Sequence, residues 1–196
     1  MTFPLVPFAT SATVVTLAEI GDKTMLLAIV LAARLRRPWA IVAGILCATI
    51  ANHLASAFIG VEVAGLLDAR WFRVAVALGF LAMAAWTLVP DKLDDDEAAS
   101  AVKGSGGAFL TTLISFFLVE IGDKTQIATI ALGARFHDVT TVAAGTTLGM
   151  MIADAPAVFL GDALVRIVPL KVARGVAAAL FAVIGAWQLW ASLTGA

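Results

Sequence analysis

Apolar residues run along this chain in six long blocks broken by short polar punctuation. The blocks cover roughly 5–33, 38–64, 71–89, 107–134, 139–165 and 172–194. A helix that crosses a bilayer needs about 20 mostly apolar residues, so each block predicts one membrane span. Arg34, Arg36, Arg37 and Pro38 close the first block, and Asp68, Arg70 and Arg73 mark the join of the second and third. Pro90 opens the one linker-like stretch, PDKLDDDEAASAVKGSGG. Arg135, His137 and Asp138 follow the fourth block, and Arg166, Pro169, Lys171 and Arg174 separate the last two. The expected organisation is a three-helix unit over 1–89, an acidic linker over 90–106 and a second three-helix unit over 107–196. The opening MTFPLVPFAT has no basic residue, so it reads as the start of a retained helix rather than a signal peptide.

Composition names the solvent. Of 196 residues, 61% are hydrophobic and 14% charged, against about 25% charged in a soluble domain. A small fold leaves much of its surface exposed, so lipid must cover most of this one. A soluble enzyme, a nucleic-acid binder and a disulfide scaffold are all poor fits. A net charge of -1 offers no basic footprint for nucleic acid. The single cysteine, Cys47, allows neither an internal disulfide nor a cysteine-based zinc site.

Lysine and arginine orient the spans. Arg34, Arg36, Arg37, Lys92, Lys103, Arg166, Lys171 and Arg174 fall on one face, and Arg70, Arg73 and Arg135 on the other. The richer face is expected to be cytoplasmic. Both termini then lie outside and the 90–106 linker inside.

A shift of 101 residues lays the sequence on itself without a gap. Glu19-Ile20-Gly21-Asp22-Lys23-Thr24 meets Glu120-Ile121-Gly122-Asp123-Lys124-Thr125. Between Phe8 and Pro90 there are 23 identities, where composition alone gives roughly 7. Each repeat holds an odd number of spans, so a linker that does not cross the membrane makes the second repeat inverted. Inverted repeats characterise secondary transporters, with the ion site near the midplane between the repeats.

The best-matched segment is also the most polar. Glu19, Asp22, Lys23, Glu120, Asp123 and Lys124 all fall near the centre of a span, where one charge costs at least about 2.5–3.5 kcal/mol. Glu19 and Asp22 are three apart and share a helix face, while Glu19 and Lys23 are four apart and can pair. Gly21 and Gly122 weaken the helix, and a local break there would free carbonyls for a cation. The plainer reading is a buried ion-pair lock across the repeats, with Lys23 and Lys124 as structural or gating charges. Four carboxylates against two lysines nevertheless leave two negative charges, which one divalent cation or two protons would neutralise. Hard cations such as calcium, magnesium and manganese take oxygen ligands.

Other polar residues sit nearby. Asn52 and His53 align with Ala153 and Asp154. Asn52 offers an oxygen, His53 a ligand or proton carrier, and Asp154 a mid-span carboxylate beside Pro156, which should kink its helix. For His53, a packing role fits equally well. Thr24, Thr125 and Gln126 are further possible accessory ligands, or bond the preceding turn. Met25, Met150 and Met151 could favour manganese over calcium if they touch the ion, although simple packing explains each. The tryptophans fit interfacial belts.

Six spans in two inverted halves, each opening with E-x-G-D-K-T, resemble the Gdt-type cation/proton antiporter family, whose signature is E-x-G-D-[KR]-[ST] once per half. That family includes calcium/manganese transporters of Golgi and chloroplast membranes and bacterial manganese exporters. Both motifs are complete here, and the resemblance spans essentially the whole chain. It implies an all-α polytopic membrane protein of six helices that is not an enzyme and holds no cofactor. It implies exchange of manganese or calcium for protons, with Glu19, Asp22, Glu120 and Asp123 as ligands and the lipid bilayer as surroundings. Short length and a short linker fit a bacterial cytoplasmic membrane. The expected function is manganese(II) export against inward protons. A calcium/proton antiporter of the same architecture is the near alternative. A metal-dependent membrane-embedded enzyme acting on a lipid phosphate and a passive cation channel are the distant ones.

Overall fold

A computed structural model describes residues 4–66, 70–90, 107–161, 163 and 170–194. Asp68, Arg166, Pro169 and nearly all of the 90–106 linker, including Lys92 and Lys103, lie outside the described residues. Among those described, the chain forms eight helices and no strand. They are α1 (Leu5–Glu19), α2 (Lys23–Leu35), α3 (Pro38–Leu66), α4 (Arg70–Thr87), α5 (Gly107–Glu120), α6 (Lys124–Phe136), α7 (Val139–Leu160) and α8 (Leu170–Thr194).

Two of the expected single spans are each two helices. The 5–33 block is α1 plus α2, and the 107–134 block is α5 plus α6. The breaks fall at the motif glycines, with φ +82° at Gly21 and +81° at Gly122. Only glycine adopts that left-handed region without a steric penalty. The chain turns and restarts, with Asp22 and Asp123 in extended conformation one residue before the next helix. Arg36 and His137, also 101 positions apart, close α2 and α6 in the left-handed conformation at φ 51° and 54°. Their amides reach back to Ala32 O and Gly133 O. Pro38 then starts α3, where its missing N–H costs nothing. Asp138 starts α7 by accepting from the Thr141 amide at 3.0 Å. Hydrogen bonds from Thr141 hold its carboxyl below the usual carboxylate range. Pro156 lies inside α7, which runs on as a helix to Leu160.

Packing follows the repeat. Helix α1 lies on α7, α5 lies on α3, α3 crosses α7, and α4 pairs with α8. A Cβ added to Gly44 would meet the Phe109 carbonyl at 2.8 Å and Thr112. A Cβ added to Gly145 would meet the Phe8 carbonyl at 2.6 Å and Ser11. Those two sets of neighbours are themselves 101 residues apart, so small residues allow the same close crossing twice. One buried apolar cluster centres on Leu27, Leu31, Ile41 and Phe116, and the other on Phe80, Leu132, Val142 and Phe181.

The outside is apolar and the inside is charged. Trp39, Trp71, Phe58, Leu118, Trp187 and Trp190 are exposed, whereas Glu19, His53, Glu120 and Asp154 are buried. That distribution suits lipid as solvent. Helices over Pro38–Gly65, Val139–Leu160 and Leu170–Thr194 are long and apolar enough to cross a membrane, and α1 and α5 are shorter apolar helices.

Candidate metal centre

The helix breaks bring both hexapeptides to one buried place. Carboxylate oxygens of Glu19, Glu120 and Asp123 lie within 4.8 Å of one another, all three residues being buried. Glu19 and Glu120 end α1 and α5, while Asp123 immediately precedes α6. Helix ends leave backbone groups without helical partners, so α1 and α5 end there in carbonyls and α2 and α6 begin there in amides. Each break is tied by one turn, from the Asp22 amide to Glu19 O at 2.9 Å and from the Asp123 amide to Glu120 O at 3.2 Å.

Ion pairs cross between the halves reciprocally. Lys23 Nζ lies 3.7 Å from Asp123 Oδ1, and Lys124 Nζ lies 3.7 Å from Asp22 Oδ1. The lock reading of the lysines therefore has a geometric basis alongside the acid cluster. Lys124 is the more enclosed of the two. Its ammonium reaches the Val89 carbonyl at 3.3 Å and sits 5.9 Å from the centre of the Trp86 ring. Trp86 thus covers a charge as well as facing outward, a role no sequence pattern signals because α4 meets α6 only in the folded chain.

The threonines break the symmetry. Thr24 Oγ1 donates to Glu19 Oε2 at 2.6 Å, and Thr125 Oγ1 donates to Glu19 Oε1. Neither oxygen of Glu120 has a hydrogen-bond partner among the described residues, nor does Asp123 Oδ2. One glutamate is held by two hydroxyls, and its repeat mate by none among the described residues.

The other expected accessory groups divide. Asn52 Nδ2 donates to the Phe117 carbonyl at 3.2 Å. That carbonyl is available because the Ile121 amide turns instead to Leu118 O. Gln126 Oε1 accepts from the Gly122 amide at 2.8 Å, steadying the second break. The matched Met25 cannot do this, and Gly21 packs against Leu170 instead. Met25 and Met150 are buried, and Met150 Sδ accepts from Thr49 Oγ1 at 2.9 Å, while Met151 packs against an apolar cluster. His53 and Asp154 are completely buried, and neither ring nitrogen and neither carboxylate oxygen has a hydrogen-bond partner among the described residues.

An apolar helical bundle around buried acids from two matched halves describes an integral membrane protein that handles cations. Comparison with known proteins agrees. A family model described as "Divalent cation/proton antiporter GDT1" matches residues 7–95 and again 108–196. The chain belongs to this family, a transporter family and not an enzyme class. It is 48% identical over 174 residues to a Vibrio cholerae protein named "Putative manganese exporter", covering 88% of this chain and 85% of that one. It is 30% identical over 204 residues to the GDT1-like protein sll0615 of Synechocystis, covering 93% and 98%. It is 28% identical over 195 residues to GDT1-like protein 3 of Oryza sativa subsp. indica, covering 87% and 69%. No solved structure matches the chain.

Proposed function

We propose that this protein exports manganese(II) across a bacterial cytoplasmic membrane in exchange for protons, at a site shared by two inverted three-span halves. The observation that carries the reading is the convergence of Glu19, Glu120 and Asp123 from both halves on one buried place. Hard divalent cations take carboxylate oxygen, and manganese is the ion in the Vibrio relative's name. Reciprocal pairing of Lys23 with Asp123 and Lys124 with Asp22 supports a two-fold relation between the halves. With three spans per half, that axis lies in the membrane plane and the shared site lies near mid-depth. Both termini then share one side, which the lysine and arginine distribution makes the outside.

In this reading one set of acids binds either metal or protons. Four motif carboxylates around two lysines carry surplus negative charge, so the site takes protons when no metal is present and releases them to a divalent cation. Asp22 serves through its pair with Lys124, and Gly21 and Gly122 provide the breaks that bring the acids together. Alternating access comes from one half rocking against the other. Uneven packing supports this. A Cβ at Gly60 would lie 2.1 Å from the Ile130 carbonyl, closing α3 on α6, whereas one at the repeat-matched Gly161 meets nothing within 4 Å among the described residues.

Proteoliposomes with an internal pH dye and an imposed pH gradient test the reading. Manganese entry should drive proton movement the opposite way, and Glu19→Gln and Glu120→Gln should each abolish both. Manganese flux indifferent to the pH gradient would make the protein a channel instead.

A further inference from the structure

Arg70, Arg73 and Arg135 share one end of the bundle but are not used alike. Arg70 donates to the Ser192 and Leu193 carbonyls at 3.0 and 2.5 Å, closing the end of α8. Arg73 and Arg135 have no hydrogen-bonded or carboxylate partner among the described residues. Both line a cavity of about 210 Å³ between the start of α4, the end of α6 and the last third of α8. His137 and Gln188 line it too, and no acid among the described residues does. Asp138, next to His137 in the chain, is engaged with α7 instead, accepting from Thr140 and Thr141.

Gln188 is the telling residue of the lining. It is 9% exposed, and its side-chain amide has no hydrogen-bond partner among the described residues. Burying an amide without a partner is costly, so Gln188 calls for a polar guest in the cavity. Arg135 is held ready for the same guest. Its guanidinium carbon lies 5.3 Å from the Trp187 ring centre and 5.6 Å from that of Phe136. Stacking on aromatic faces leaves the N–H groups at the edge of the guanidinium free to donate. The other half uses these positions differently: Trp86, the repeat mate of Trp187, covers Lys124, and Thr87 stands where Gln188 does. Trp71, Trp187 and Trp190 are exposed at this same end of α4 and α8, and tryptophans of that kind sit at the depth of lipid headgroups.

We propose that this cavity binds a phosphate group, with the guanidiniums of Arg73 and Arg135 and the amide of Gln188 as its donors. Two permanent positive charges with no acid between them take an anion, and guanidinium forks match phosphate oxygens two at a time. At headgroup depth the phosphodiesters of membrane lipids are the anions at hand, and basic pockets between membrane helices hold lipid headgroups. Inorganic phosphate offers the same oxygens. Helix α6 starts at the candidate metal centre and ends at this cavity, so a bound phosphate ties the far end of α6 to α4 and α8. The site shares no residue with the metal centre and does not depend on the cation reading.

The test uses the purified full chain, stripped of lipid in a neutral detergent, and reads binding as the rise in Tm on titration. The probes are a short-chain phosphatidylglycerol, the matching diacylglycerol without phosphate, and sodium phosphate against sodium chloride of equal ionic strength. Phosphatidylglycerol should raise Tm, and diacylglycerol should not. Arg73→Gln and Arg135→Gln should each weaken the phosphatidylglycerol response by at least about tenfold. Arg34→Gln, at the repeat mate of Arg135, should leave it unchanged. Gln188→Glu keeps the size of the side chain but sets a carboxylate among the arginines. It should raise Tm without ligand and abolish the response to phosphatidylglycerol. A response to sodium phosphate that Arg73→Gln removes would support the site with free phosphate as a guest, and a response to the lipid alone would support it as a headgroup site. Equal responses to phosphatidylglycerol and diacylglycerol would overturn the proposal. So would wild-type phosphatidylglycerol binding in Arg73→Gln and Gln188→Glu, which decide the matter even if Arg135→Gln unfolds on losing its aromatic contacts. Failure of Gln188→Glu to fold would overturn it too, since its carboxylate would then have met no cation in the cavity.

Discussion

Phe80 of α4 and Phe181 of α8, 101 positions apart in the sequence, stack on each other with ring centroids 6.3 Å apart and planes 30° apart. Thr49 and Met150, separated by the same interval, also touch. A residue meets its own repeat mate only where an axis relating the halves passes between them. Both phenylalanines are fully buried. Phe80→Ala and Phe181→Ala should each cost about 3–5 kcal/mol, and the double substitution should cost less than their sum because the rings share one contact. Unfolding of the purified protein, followed as a double-mutant cycle, measures this.

The reciprocal ion pairs should differ in weight. The Lys124 side chain is 3% exposed and that of Lys23 is 20% exposed, at the same 3.7 Å separation. Removing one partner of a buried pair leaves a charge uncompensated, at about 3–5 kcal/mol, while water softens the loss at a partly open site. Lys124→Ala should therefore destabilise more than Lys23→Ala, and Asp22→Asn should recover part of what Lys124→Ala loses. Equal Tm losses for the two lysine variants would contradict this ordering.

The hydroxyls on Glu19 should matter for turnover. Thr24 and Thr125 both donate to that carboxylate, and a hydrogen bond to a charged group is worth about 1.5–3 kcal/mol. Thr125→Val should slow manganese exchange by about tenfold or more, with Thr125→Ser close to wild type. Transport assays on the two variants side by side separate loss of the hydroxyl from loss of the methyl.

Close packing at Gly60 should not tolerate a methyl group. The obstacle at 2.1 Å is the Ile130 backbone carbonyl, which cannot swing aside as a side chain would. Gly60→Ala should push α3 off α6, lowering Tm and altering transport. Gly79→Ala, inside α4 with nothing among the described residues within 4 Å of the added methyl, should be neutral or stabilising by about 0.5–1 kcal/mol. Thermal unfolding of both variants is the check.

Sequence alone determined the solvent, the repeat and the charged motifs. Apolar blocks and a low charge content are properties of composition, and a gapless match at 101 residues needs no coordinates to see. It also located the helix breaks, because a glycine beside two acids inside an apolar block marks a weak point in a helix. Tertiary structure decided which groups share a space. The motifs offer four carboxylates, and the fold brings oxygens of Glu19, Glu120 and Asp123 within 4.8 Å of one another, with a lysine of the other half 3.7 Å from each motif aspartate. Gln126 and Asn52, both plausible ligands by residue type, are engaged with backbone groups that the helix breaks leave exposed. Two hydroxyls on one glutamate and none on its mate could not be read from a repeat that treats both halves alike. Identical sequences fix which groups are available in each half. Which neighbour each group meets depends on how the two halves are packed against one another, and that packing is unequal.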